Sequence, residues 1–258
     1  MLGIALTVLM GMIIGSFLNV CIYRLPKGES IVFPGSHCTN CEHSLSFLDL
    51  VPVLSFLSLR GRCRYCGNKI SKRYMMIELL TGLMFGGVYL RFGWSLETLL
   101  YASFMAVLIV LTMIDLDEML LPTKIIWFGA GMGFVFRALQ SILYQDIRYL
   151  GASLLAALLG YGFFWVLFYM AKILFKKEGL GFGDVRLAGM LGVYLPINLI
   201  VFTIFVSSLL ASIYGGILYY KKRASEPFPF GPFLNIAAVI ALFYGDDVIC
   251  WYLGFIRF

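Results

Sequence analysis

Charge is scarce in this 258-residue chain: Asp, Glu, Lys and Arg together make up 13%, whereas 61% of residues are hydrophobic. A chain so poor in charge cannot clothe a soluble surface, so an ordinary globular domain is excluded. Histidine is rarer still, with only His37 and His43, both close to cysteines. No Ser, Cys or Thr is set beside a histidine in a hydrolase pattern, and both histidines read as surface groups or supports of the cysteines rather than catalysts. The chain also lacks a G-x-G-x-x-G turn, low-complexity runs and any convincing repeat. An ion-coupled transporter would show related halves with broken helices, and that symmetry is missing. Met1–Ile22 has no charge, no basic n-region and no A-x-A site, and reads as an uncleaved helix.

What is present is a series of apolar runs. After the first come residues 75–90, 96–114, 125–144, 149–171, 185–196, 197–220 and 228–245. A span takes about 20 residues. The run after Asp184 is too short and has to be tilted or enclosed by its neighbours. The expectation is an all-α polytopic membrane protein of about eight transmembrane helices. Residues 1–22 form the first helix, 23–74 a small cytosolic module, and 75–258 a membrane domain. With the N-terminus outside, 16 of the 20 Lys and Arg lie at the cytosolic face, Lys176, Lys177 and Arg223 among them. Arg91, Arg137, Arg148 and Arg257 are left for the other side. The net charge of +6 then follows from topology. It needs no nucleic-acid partner, and the basic residues are expected to meet anionic lipid.

The polar stretch holds four of the six cysteines, as Cys38-x-x-Cys41 and Cys63-x-x-Cys66, with 21 residues between the pairs. Paired CxxC turns in a reducing compartment suit a structural zinc ion held by four thiolates. Cys21 and Cys250, in apolar surroundings, read as packing residues.

Acids within the spans are few. Glu97 and the pair Asp246–Asp247 fall near the outer surface, where solvation suffices. Asp115 follows an uncharged run, and Asp184 closes Gly181-Phe-Gly183-Asp184 at a helix entrance; topology puts both at the cytosolic level. Either could be a helix cap. Together they could share a proton, one acting as base on water while the other stays protonated, an arrangement for peptide hydrolysis. Gly181 and Gly183 would let a substrate backbone approach.

These motifs resemble the bacterial type IV prepilin peptidases, bifunctional leader peptidases and N-methyltransferases of the GxGD aspartyl intramembrane class. The likeness runs almost end to end. It takes in Gly15-Ser-Phe-Leu-Asn-Val-Cys-Ile-Tyr-Arg-Leu-Pro26, the cysteine pairs, Asp49-Leu-Val-Pro-Val-Leu-Ser55 and Leu59-Arg-Gly-Arg-Cys-Arg64. It continues through Glu78-Leu-Leu-Thr-Gly82, Ile114-Asp-Leu-Asp117, Leu121-Pro122, the GxGD segment and Phe230-Gly-Pro-Phe233. Met75 and His37 depart from it, where proline and arginine are common. The resemblance implies that Asp115 and Asp184 are the catalytic pair, with Asp117 the rival for the first place. It implies prepilin or pseudopilin substrates with a short basic leader, cut after glycine on the cytosolic side of the bacterial inner membrane. It also implies methylation of the new N-terminus by S-adenosylmethionine, toward which Gly61 and Glu78 are the candidate contributors. A non-catalytic assembly factor, the remaining alternative, would place no demand on either aspartate.

Overall fold

A computed structural model of the chain describes residues 1–175, 181–222 and 227–256; Lys176, Lys177, Arg223 and Arg257 of the charge pattern lie outside them. The helices are α1 (Leu2–Arg24), α2 (Leu54–Ser58), α3 (Lys72–Phe92), α4 (Leu96–Glu118) and α5 (Thr123–Leu143). Then come α6 (Arg148–Phe175), α7 (Phe182–Tyr194), α8 (Ile197–Lys222), α9 (Gly231–Ile240) and α10 (Asp246–Ile256). Among the described residues the only β-pairing is two isolated bridges. Among the described residues, seven helical stretches are long and apolar enough to span a membrane: α1, α3, α4, α5, α6, α8 and the continuous Gly231–Phe255. The eighth run, α7, is helical with 13 residues, about 20 Å, which is too short to cross. A wide turn over Ala241–Gly245 joins α9 to α10, so the last helix runs on past Asp246 rather than stopping at Gly245.

The chain forms two compact units, Met1–Val110 and Leu111–Phe258. In the first, α1 lies antiparallel on α3 along a glycine seam. A Cβ on Gly11 would stand 2.8 Å from the Thr81 carbonyl and the Gly82 Cα, and one on Gly15 would stand 2.8 Å from the Glu78 Cα. Small residues four apart bring membrane helices this close, where dispersion replaces the hydrophobic effect as the adhesive. Asn19 Nδ2 adds a bond of 3.1 Å to the Tyr74 carbonyl.

In the second unit, α7 is enclosed on nearly every side: Val185, Leu187 and Tyr194 are fully buried. Its glycines admit neighbouring backbone. A Cβ on Gly160 of α6 would stand 2.7 Å from the Ala188 carbonyl, and one on Gly192 would collide with Ala156. A helix that ends away from water leaves its last carbonyls without partners. Arg137 of α5 supplies them. Its guanidinium donates to Val193 O at 3.3 Å, to Tyr194 O, and to Gln140 Oε1 at 2.9 Å. Tyr194 Oη returns a bond of 2.7 Å to the Gly129 carbonyl. Arg137 is thus buried, and its charge answers the negative end of the α7 dipole.

Candidate active site and metal centre

Each cysteine pair sits in a knuckle closed by backbone bonds. Cys38 N–H donates to His43 O at 3.0 Å and Glu42 N–H to Cys38 O at 2.9 Å; Cys63 N–H donates to Asn68 O at 2.8 Å and Gly67 N–H to Cys63 O at 2.9 Å. The bridges His37–Ser44 and Arg62–Lys69 bracket the two turns. The four sulfurs lie within 4.8 Å of one another, with Cys38 Sγ and Cys66 Sγ 3.9 Å apart. A Zn–S bond of about 2.3 Å gives a tetrahedral edge of about 3.8 Å, so the donor set fits such an ion. Backbone N–H groups of Cys41 and Asn40 draw the Cys38 thiol down to about 6, toward the thiolate a metal requires. Neither histidine joins the cluster: His43 stacks on Tyr65 at 3.7 Å, and His37 Nδ1 lies 3.0 Å from Gly35 O.

The two knuckles differ at one informative position. Gly67 closes the second turn at φ +70°, whereas Glu42 closes the first at φ 57°. A side chain in this left-handed region costs about 1 kcal/mol. Glu42→Gly is therefore expected to strengthen the module by up to about 1 kcal/mol, read as slower metal loss to a chelator.

Around the knuckles, polar groups replace a core. Arg24 donates to the carbonyls of Ser30, Pro34 and Gly35 at 3.0, 2.7 and 3.2 Å. Asp49 accepts from Ser46 Oγ at 2.7 Å, from Arg64 Nε at 2.7 Å and from Tyr65 Oη at 3.2 Å. Those partners, the Ser46 hydroxyl foremost, hold its carboxyl at about 2. Asp49 so ties one turn of the module to the residues between Cys63 and Cys66. In sequence Asp49 opens one of the segments that carry the family resemblance, and Ser46-x-x-Asp49 has the form of a capping box.

Gly61 and Glu78 meet opposite ends of the short helix α2. Glu78 Oε2 accepts the Val53 N–H at 2.8 Å, and Val53 is the residue before that helix. Gly61, at φ +67°, faces Phe56, whose ring would stand 2.9 Å from an added Cβ. Both residues thus make contacts at α2 within the first unit.

The aspartates belong to the second unit. Asp115 is on the last turn of α4 and is 4% exposed; Asp184 is on the first turn of α7 and is 6% exposed. Asp117, two residues further on, is exposed. Asp184 is the third residue of its helix, not its cap, and its carboxylate accepts from the Gly181 N–H. The Asp115 carboxylate lies near enough to Asp184 for its charge to act on that group. Leu121 links their surroundings, standing 2.9 Å from a Cβ on Gly183 and 3.3 Å from one on Gly231. A Cβ on Gly231 would run into Asp115 Oδ2, so the start of α9 presses directly on that carboxylate. Gly181 is exposed beside Asp184, while Gly183 makes room for Leu121.

Four side-chain atoms among the described residues are buried without a hydrogen-bond partner: Asp115 Oδ2, Asp184 Oδ1, Asn235 Oδ1 and Gln140 Nε2. Such atoms cost free energy in a folded protein unless function uses them. Asn235, which sequence reasoning missed, is 2% exposed and donates from Nδ2 to Thr112 Oγ1 at 2.9 Å.

Comparison with known proteins agrees with this organisation. Residues 9–92 match the bacterial peptidase A24 N-terminal domain, and residues 102–216 match the type IV leader peptidase family. Three relatives are called prepilin leader peptidase/N-methyltransferase. The one from Aeromonas salmonicida (strain A449) is 36% identical over 279 residues, covering 97% of this chain and 94% of its own. That of Pseudomonas aeruginosa is 33% identical over 285 residues, 98% and 94% of the two chains. The Bacillus subtilis (strain 168) protein is 32% identical over 245 residues, 94% and 95%. No solved structure matches the chain. Identity above 30% along nearly the whole of both chains leaves one conclusion, that this chain belongs to the type IV leader peptidase family.

Proposed function

We propose that the chain is a membrane aspartic endopeptidase that removes the short basic leader of prepilins or pseudopilins after glycine and then N-methylates the new N-terminus. The observation that carries the hydrolytic part is the juxtaposition of Asp115 and Asp184, both buried, each with an oxygen that no protein group engages. One carboxylate takes a proton from water as its oxygen attacks the scissile carbonyl. The other, protonated, donates to the carbonyl oxygen; the amine leaves with a proton as the C–N bond breaks. Gly181, exposed at the mouth of α7, gives a substrate backbone access to Asp184, and Gly183 lets Leu121 close the opposite side.

The thiolates of Cys38, Cys41, Cys63 and Cys66 would hold a structural zinc ion, which supplies cross-linking and no chemistry to the cut. S-adenosylmethionine supplies the methyl group. Gly61 and Glu78, engaged at α2, are the candidate contributors to its site. The N-terminus outside, with module and aspartates on the cytosolic side of the inner membrane, is the orientation the basic residues favour. Purified protein incubated with a prepilin should release the leader with or without S-adenosylmethionine, while N-methylation should need it; mass spectrometry of the new N-terminus checks both. No cleavage of any leader ending in glycine would overturn the reading.

A further inference from the structure

Two rungs connect α4 to α9. At the first, Gly231 presses on Asp115. At the second, Asn235, four residues after Gly231, donates to Thr112, three residues before Asp115. These offsets are one helical turn on each helix, so both rungs lie on one face of α4 and one face of α9. The Asn235 amide is turned by its bond to Thr112, and its carbonyl oxygen is buried with no protein partner. Two of the four such atoms among the described residues, Asp115 Oδ2 and Asn235 Oδ1, therefore lie within a turn of one junction.

A hydrogen bond between membrane helices can act as simple adhesive. Adhesion would use the amide donor and leave no reason to bury an acceptor one turn from a buried carboxylate. Resting on the hydrolytic reading above, we infer that Asn235 is a positioning residue of the centre. Anchored on Thr112, it fixes the start of α9 against Asp115 and offers Oδ1 as an acceptor to a proton held at the centre, on water or on the protonated carboxyl.

Thr112→Val removes the anchor and Thr112→Ser keeps it; Asn235→Ala removes anchor and acceptor together. Asn235→Asp puts a third carboxyl at the junction. With a purified prepilin substrate, Asn235→Ala and Thr112→Val should lower kcat by about 10- to 100-fold with KM within about twofold, the penalty of a slightly misplaced reacting group. Thr112→Ser should restore kcat. Asn235→Asp should move the pH profile of kcat upward, because a nearby like charge disfavours ionisation. Wild-type kcat in Asn235→Ala, or an unmoved profile in Asn235→Asp, overturns the inference. So does a loss in Thr112→Val that tracks only a lowered melting temperature. The hydrolytic reading fails separately: Asp184→Asn, run beside these variants, would then cleave as the wild type does.

Discussion

Asp184→Asn and Asp115→Asn should each abolish leader cleavage, with kcat falling at least about 1,000-fold while the protein still accumulates in the membrane. Asparagine keeps the shape of the side chain and retains an oxygen that can accept the Gly181 N–H now taken by Asp184. What it loses is the ability to carry a charge or pass a proton. Burial makes that loss decisive, since no water-borne buffer can substitute for a carboxyl only 4% or 6% exposed. Because the pair works as a unit, the double variant should be no slower than either single one, a non-additivity that two independent contributions would not show. Asp117→Asn, at an exposed position, should leave turnover within a few-fold of wild type. Gel shift and product mass read all four; wild-type turnover in either single variant at Asp115 or Asp184 would end the two-carboxylate mechanism.

The apolar runs made the helices legible, because a membrane span announces itself by composition alone. All eight runs are helical, and the short one after Asp184 is enclosed as its length demands. The cysteine knuckles were legible for a comparable reason: two CxxC turns constrain four sulfurs whatever the intervening chain does. Contacts between distant segments left no such trace. Nothing near Arg137 in sequence reveals that α7 ends against it. Asn235 sits in an apolar run 123 positions from Thr112, and only the packing of α9 on α4 makes that bond visible. Leu121 likewise gained its place between Gly183 and Gly231 from the fold, not from its own chemistry. The extension of the last span past Gly245 was hidden because Asp246 and Asp247 resemble a helix end. In the structure the helix runs on through both residues, and Asp246 accepts from Asn198 Nδ2 at 3.0 Å.

Stripping metal from the four thiolates, by chelator or by Cys38→Ser, should unfold the module while the spans stay helical. Between Leu25 and Ser71 only Cys63 is buried, so this segment has no apolar core of its own. Folded pieces of that size rarely draw more than about 3–5 kcal/mol from packing, even with a core. A four-thiolate zinc site contributes an apparent 10–16 kcal/mol, roughly, at neutral pH, which is far more than the remaining contacts can replace. The glycine seam between α1 and α3 involves no thiolate and should survive. The expected signature is therefore divided: added protease cuts quickly within residues 25–71, while far-UV helical signal falls only slightly. If the metal-free module resisted protease as well as the loaded one, the Arg24 and Asp49 hydrogen bonds would have to hold it alone. Net contributions of about 1–3 kcal/mol per charge-assisted bond are too small against the conformational entropy of the 47 residues from Leu25 to Ser71.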